Sequence, residues 1–268
     1  MKRSDWLLEM DRRDWERVQE LEWAYQARKR PERVLALNRI YWQRLLAETR
    51  KAGVRIGPGT RVLDAGCGGA GILLALEQGE RVGIDPLMDR YLERFDFLAG
   101  TDIVWLRACV EDYTSERPFD IVFCINVLDH TRDPGAAARR LQGLLAEGGH
   151  LVVLVNLHRS ALARRYYALL QRYVDPTHPQ QMDRSAALRL FAGLSLVYER
   201  EADSLWSDLD ARYRREVLGC RRRGRAGKLL AKVANPLAWP PALLGLARWP
   251  VHGRALFSSR LFVFRRIG

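Results

Sequence analysis

From residue 60 onward the chain alternates short apolar runs with helical patterns, and this alternation constrains its fold more than any other feature. The runs "RVLDAG", "RVGID", "DIVWLR", "FDIVFCIN" and "HLVVLVN" read as strands. Between them "GILLALEQG", "PLMDRYLERFDFLAG" and "DPGAAARRLQGLLAEGG" read as helices. Strands apolar on both faces need cover on both sides, which helical crossovers on a parallel sheet supply. The expected class is a doubly wound α/β fold. After Asn156 a polar, aromatic stretch leads to a helix, "DRSAALRLFAG", and a strand, "LSLVYERE"; "SSRLFVFRRIG" closes the chain as one more strand.

Residues 1–54 are expected to form an N-terminal helical cap, lying over the mouth of the following domain or beside it. "DRRDWERVQELEWAYQ" is rich in helix formers, and "VLALNRIYWQRLLAETRKAG" puts Val34, Leu37, Tyr41 and Leu45 on one face before a glycine stop. Residues 55–268 would be the α/β domain, with an insertion over 201–257 before its last strand. A chain of 268 residues that is 48% apolar can bury such a core.

The formal charge of +12 is concentrated at one end: residues 212–268 hold 14 of the 44 basic residues and one acid, Glu216. The basicity therefore belongs to the insertion and last strand, not to the protein as a whole. Four cysteines, Cys67, Cys109, Cys124 and Cys220, form no CxxC pair, and no charged-then-apolar leader opens the chain. A reduced, cytoplasmic protein without structural zinc is expected.

Gly66, Gly68 and Gly71 form a GxGxxG turn behind the first strand. Glycines let the backbone turn sharply and let a ligand approach main-chain N–H groups; a tight turn that binds nothing has the same sequence. Asp64, two residues before the first glycine, would repel a pyrophosphate; it can accept from an ammonium group or fix the loop. Asp85 ends the next strand, about 20 residues on, where a carboxylate can accept both hydroxyls of a ribose. With Pro86 following, Asp85 also suits a helix cap, and the two roles are compatible.

In order and spacing, "VLDAGCGGAG", "VGIDP", "ACVEDY", "FDIVFCINVLDH" and "LLAEGGHLVVLV" resemble the class I S-adenosylmethionine-dependent methyltransferases. The resemblance covers roughly residues 55 to 200 and the final strand. It implies a Rossmann-like sheet of seven strands with the last antiparallel, and S-adenosylmethionine as cofactor. Gly66, Gly68 and Gly71 would then line its methionine part, with Asp64 shaping the loop and Asp85 and Pro86 at the ribose. Where the family often has an acid near adenine, this chain has Cys109, so the Val110 amide, or else Glu111 or Asp112, would serve there.

Methyl transfer from a sulfonium is an in-line displacement, so the protein must align the acceptor and, for a hydroxyl, take its proton. Asn126, Asp129 and His130 stand at the end of the strand "FDIVFCIN", and His178 follows in "DPTHP". Asn126 is expected beside the cofactor and Asp129, His130 and His178 at the catalytic end. For His130 an N-terminal structural hydrogen bond is the plainer alternative. Tyr166, Tyr167 and Tyr173 read as packing residues. "CINVLDHTRDP" is most similar to the ubiquinone-pathway O-methyltransferases, whose Glu-x-x-Glu-His supports a divalent metal; Asn126 replaces the first carboxylate, so no metal is expected.

Residues 221–254 join an arginine cluster to a nearly apolar run with Trp239 and Trp249, but carry Lys232, Asn235 and the prolines Pro236, Pro240 and Pro241 between the cluster and Trp249. This does not suit a membrane span. It suits an interfacial segment on an anionic inner-membrane surface, or equally a cap on the protein's own sheet. The expected function is O-methylation of a small-molecule, glycan or lipid-linked acceptor. The rivals are an RNA or DNA methyltransferase using the basic region, opposed by the lack of an Asn/Asp-Pro-Pro-aromatic signature, and a nicotinamide-dependent oxidoreductase or nucleotide-binding module, opposed by Asp64. The oligomeric state is not legible.

Overall fold

The computed structural model describes residues 10–160, 164–165, 178–219 and 257–267. The three tyrosines at 166, 167 and 173 and the basic, apolar segment 221–254 lie outside these residues. No helix among the described residues is long and apolar enough to cross a membrane.

Seven strands form one sheet in the order β3-β2-β1-β4-β5-β7-β6. They are β1 (Arg61–Ala65), β2 (Glu80–Asp85), β3 (Val104–Arg107), β4 (Phe119–Ile125), β5 (Leu145–His158), β6 (Ser195–Glu201) and β7 (Phe257–Arg265). β1 to β5 pair in parallel, and β7 lies antiparallel between β5 and β6. The doubly wound sheet with an antiparallel last strand is thus as expected. Residue alternation sends Val62, Ile121, Phe123, Val152 and Val263 to one buried face. The opposite face holds Leu63, Val122, Cys124, Val153 and Phe262.

Before the sheet come α1 (Arg12–Gln26) and α2 (Pro31–Lys51). Asp11 caps α1 by accepting the Asp14 N–H, and Pro31 opens α2, where its missing donor costs no bond. Val34, Leu37, Tyr41 and Leu45 are buried, as their spacing predicts. They pack in the same core as Ile72 and Leu73, so α2 covers the sheet face beside the β1–β2 connection.

That explains one correction. "GILLALEQG" forms no α-helix; the connection carries only 3₁₀ turns at Gly68–Ala70 and Ile72–Ala75. Arg81 of β2 donates to the Leu76 carbonyl at 2.6 Å and the Leu73 carbonyl at 3.5 Å, taking acceptors that a continuing helix would use. The surface that such a helix would bury against is already occupied by α2.

α3 (Met88–Arg94) is shorter than its pattern and gives way to a 3₁₀ turn at Asp96–Leu98. α4 (Pro134–Gly143) is capped by Asp133, which accepts from Gly135 and Ala136. α5 (Arg184–Leu190), α6 (Asp203–Trp206) and α7 (Asp210–Glu216) complete the described helices. α4 and α5 cover one face; α2, α3, α6 and α7 cover the other.

Candidate functional site

The chain leaves β1 at Gly66 with φ +76°, and a Cβ there would stand 2.4 Å from Val127 Cγ2. Gly66 and Cys67 donate their N–H groups to the Ile84 carbonyl, at 2.8 and 3.1 Å, tying the loop to β2. Asp64 points beneath the loop and accepts from Ile72 N–H at 3.1 Å. A Cβ on Gly71 would lie 2.5 Å from Asp64 Oδ2 and 2.7 Å from the Cys67 carbonyl, so only glycine fits. Asp64 is 2% exposed, and burial pushes its carboxyl up to about 7. Of its two expected roles, the geometry matches fixing the loop.

Asp85 ends β2 with Oδ2 accepting from Gly68 N–H at 3.0 Å and Oδ1 from Leu87 N–H at 2.9 Å. Burial raises its carboxyl to about 6. Each carboxylate oxygen keeps a lone pair for a further donor. A cleft of about 540 Å³ opens here, within the usual size of a small-ligand site. Gly66, Gly68, Asp85, Pro86, Val110, Glu111, Asn126, His130 and His178 line it, whereas Asp64, Gly71 and Asp129 do not. Glu111 spends its carboxylate on the N–H of Arg132, at 2.8 Å, and Asp112 is bridged to Arg132. Of the alternatives for an adenine contact, the Val110 amide is the one not committed to an ion pair.

α1 lies along the cleft with Trp15, Gln19, Glu22 and Gln26 facing in. No expectation named these residues. The signal was present as polar and aromatic side chains at helical spacing, a stripe unlike the aliphatic one of α2. A second chamber of about 660 Å³ shares Tyr25, Asn38, Trp42 and Asn126 with the first. Tyr41, Trp206, Tyr213 and Phe257 wall it, with Trp206 edge-on to Tyr41 and Tyr213 at centroid distances of 5.0 and 5.1 Å. Between the chambers stands Asn126, at φ +56° the only non-glycine residue with positive φ among those described. Such backbone at a strand end accompanies functional sites, and asparagine tolerates it best.

Asp129, His130 and His178 place their ligand atoms within 4.8 Å of one another, with 4.5 Å between the imidazole centroids. Gln180 docks the segment of His178 by donating from its backbone to the Asp129 carbonyl and from its amide to the Thr131 carbonyl. Among the described residues, Asp129 Oδ1 and His130 Nδ1 are buried without a hydrogen-bond partner. The donor set of one carboxylate and two imidazoles suits a borderline transition ion and is poor for the hard cation that paired carboxylates hold. With Asn126 in place of a carboxylate, a magnesium-type centre does not fit.

A family model described as a methyltransferase domain matches residues 25–198. The ubiquinone biosynthesis O-methyltransferase of Vibrio vulnificus is 33% identical over 102 residues, 35% of this chain, and the match spans only 42% of that enzyme's length. Its namesake in Pseudomonas syringae is 28% identical over 186 residues, covering 60% of this chain and 78% of that one. Among solved structures, the YcgJ protein of Bacillus subtilis superposes with a TM-score of 0.58 at 14% identity, over 84% of this chain and 99% of that one, a likeness of fold alone.

Proposed function

Because this chain belongs to the methyltransferase-domain family, we propose that it moves a methyl group from S-adenosylmethionine to a hydroxyl of a small-molecule, glycan or lipid-linked acceptor. One observation carries this reading: the glycine-loop cleft and the aromatic chamber share Tyr25, Asn38, Trp42 and Asn126 in their walls, so a cofactor in one and an acceptor in the other would lie on either side of Asn126. The cofactor's ribose would sit on Asp85, its adenosine beside Val110 and its sulfonium toward Asn126. The chamber's charges are compensated, Asp210 by Arg214 and Asp203 by Arg159, which favours a neutral, planar acceptor stacked between rings. The O-methyltransferase names of the two curated relatives support oxygen as the receiving atom.

In-line transfer needs little acid–base help until the acceptor hydroxyl must shed its proton. His130 at the cleft wall, with His178 beside it, offers an imidazole for that proton. Replacing His130 by alanine is expected to lower turnover by about 10²-fold with cofactor affinity unchanged; full activity on a true acceptor would remove His130 from the role.

Asp85 also gives a pH dependence. Its folded, ligand-free carboxyl titrates near 6, raised by burial, and only the ionised form can accept two hydroxyls. Cofactor affinity should be level above pH 7 and fall about tenfold per unit below pH 6. Calorimetric titrations from pH 5 to 8 check this, and a flat profile would contradict it.

The function itself is tested by incubating the protein and S-adenosylmethionine with phenols, catechols and lipid extracts. A mass gain of one methyl group on an organic acceptor supports the reading. Label passing to RNA and not to the organic extracts would overturn it.

A further inference from the structure

We propose that Glu22 of α1 and Lys29 in the turn that follows it form the site for the α-amino-acid group of the cofactor, Lys29 receiving its carboxylate and Glu22 its ammonium. The inference rests on the S-adenosylmethionine reading above and adds the part of that ligand which the strand-end residues leave without partners.

Lys29 is 8% exposed and lines the cleft. Among the described residues no carboxylate forms an ion pair with its Nζ. Its neighbours are instead the rings of Tyr25 and Tyr213, with 4.8 and 5.7 Å from Nζ to the centroids. A buried charge is normally paired, because desolvating it alone is costly. Burial draws the Lys29 ammonium down to about 8, against the opposing attraction of Glu22. An anion entering the cleft would give that ammonium a partner.

Glu22, seven positions earlier on α1, faces the same cleft. It accepts from the Gln26 amide, and among the described residues no lysine or arginine pairs with it. Two opposite charges on one wall, neither paired with the other, suit a zwitterion. The remaining acids cannot take the ammonium part: Asp64 is 2% exposed and bonded to Ile72, and Glu111 is held by Arg132. Lys29 is the only lysine or arginine among the described residues lining the cleft, so a ligand carboxylate has no rival cation there.

The direction of the cofactor agrees. The Arg132 guanidinium lies 5.4 Å from the Trp15 ring and bridges Asp112, which places the start of α1 beside the Val110 end of the cleft. The last residue of α1, Gln26, lies roughly 16 Å further along the helix, with Lys29 in the turn after it. With the ribose on Asp85 between them, the amino-acid end falls toward Lys29.

The test compares two ligands on the full chain by calorimetry: S-adenosylhomocysteine, which carries the amino-acid group, and 5′-methylthioadenosine, which lacks it. For Lys29→Met, a length-matched apolar replacement, affinity for S-adenosylhomocysteine should fall roughly tenfold or more, with methylthioadenosine within about twofold of the parent. Glu22→Gln keeps the bond to Gln26 and should show the same selective loss. Unchanged S-adenosylhomocysteine binding in Lys29→Met, or equal loss of both ligands, would overturn the assignment. A parent protein that binds neither ligand would overturn the cofactor reading beneath it.

Discussion

Replacing Asp85 by asparagine is expected to weaken S-adenosylmethionine binding by about 10²-fold while the ligand-free protein keeps its stability to within about 2 kcal/mol. The two effects separate because the carboxylate is unfavourable for the empty fold and favourable for the ligand. Burial lifts the Asp85 carboxyl to about 6, so folding favours its neutral form. That contribution to stability is fully present below the unfolded pKa, near 4, and is lost as pH rises through 6. Above pH 6 the ionised group therefore costs the empty protein on the order of 3 kcal/mol, which asparagine removes. Against this, an amide has one acceptor oxygen for the two backbone donors of Gly68 and Leu87, and losing one bond costs about 1–3 kcal/mol. The terms nearly cancel. Binding has no such offset, since ribose hydroxyls lose a charged, two-oxygen acceptor. Thermal unfolding and calorimetry on one preparation measure both. A stability loss as large as the binding loss would make Asp85 a loop-holding residue only.

Substituting alanine for Gly66 is expected to destabilise the fold by about 2–5 kcal/mol. About 1–2 kcal/mol comes from placing a Cβ on a backbone at φ +76°. A further 1–3 kcal/mol or so comes from overpacking, because the new carbon would meet both Val127 methyls, at 2.4 and 2.7 Å. Val127→Ala in the same chain should recover the steric part and leave the backbone part. Urea unfolding of the two single variants and the double variant separates them. A loss below about 1 kcal/mol for Gly66→Ala would show that the turn rearranges at little cost.

Much of this architecture is written in local patterns. β1, β4, β5 and β7 announce themselves because each is apolar on both faces, and the spacing of Val34, Leu37, Tyr41 and Leu45 marks the buried side of α2. What local pattern does not hold is competition between segments. "GILLALEQG" has a helical pattern, yet α2 occupies the face it would need and Arg81 takes its carbonyls. The ends of β1, β2 and β4 meet at the cleft because the topology is legible, so Gly66, Asp85 and Asn126 come together as the spacing predicts. Asp64 has two chemical options in sequence, and only its depth under the loop and its bond to Ile72 choose between them. The contribution of α1 is long-range: Trp15, Glu22 and Lys29 acquire meaning only when the helix crosses strand ends more than 35 residues away. His178 is likewise brought to His130 by buried Gln180, a residue type that carries no periodic signal.

The cleft is built for a sulfonium nucleoside and not for a dinucleotide. Calorimetry of the full chain with S-adenosylmethionine and, separately, with NAD tests this most directly. One site for S-adenosylmethionine, weakened by Asp85→Asn, and no heat from NAD are the expected results. Saturable NAD binding without S-adenosylmethionine binding would contradict it.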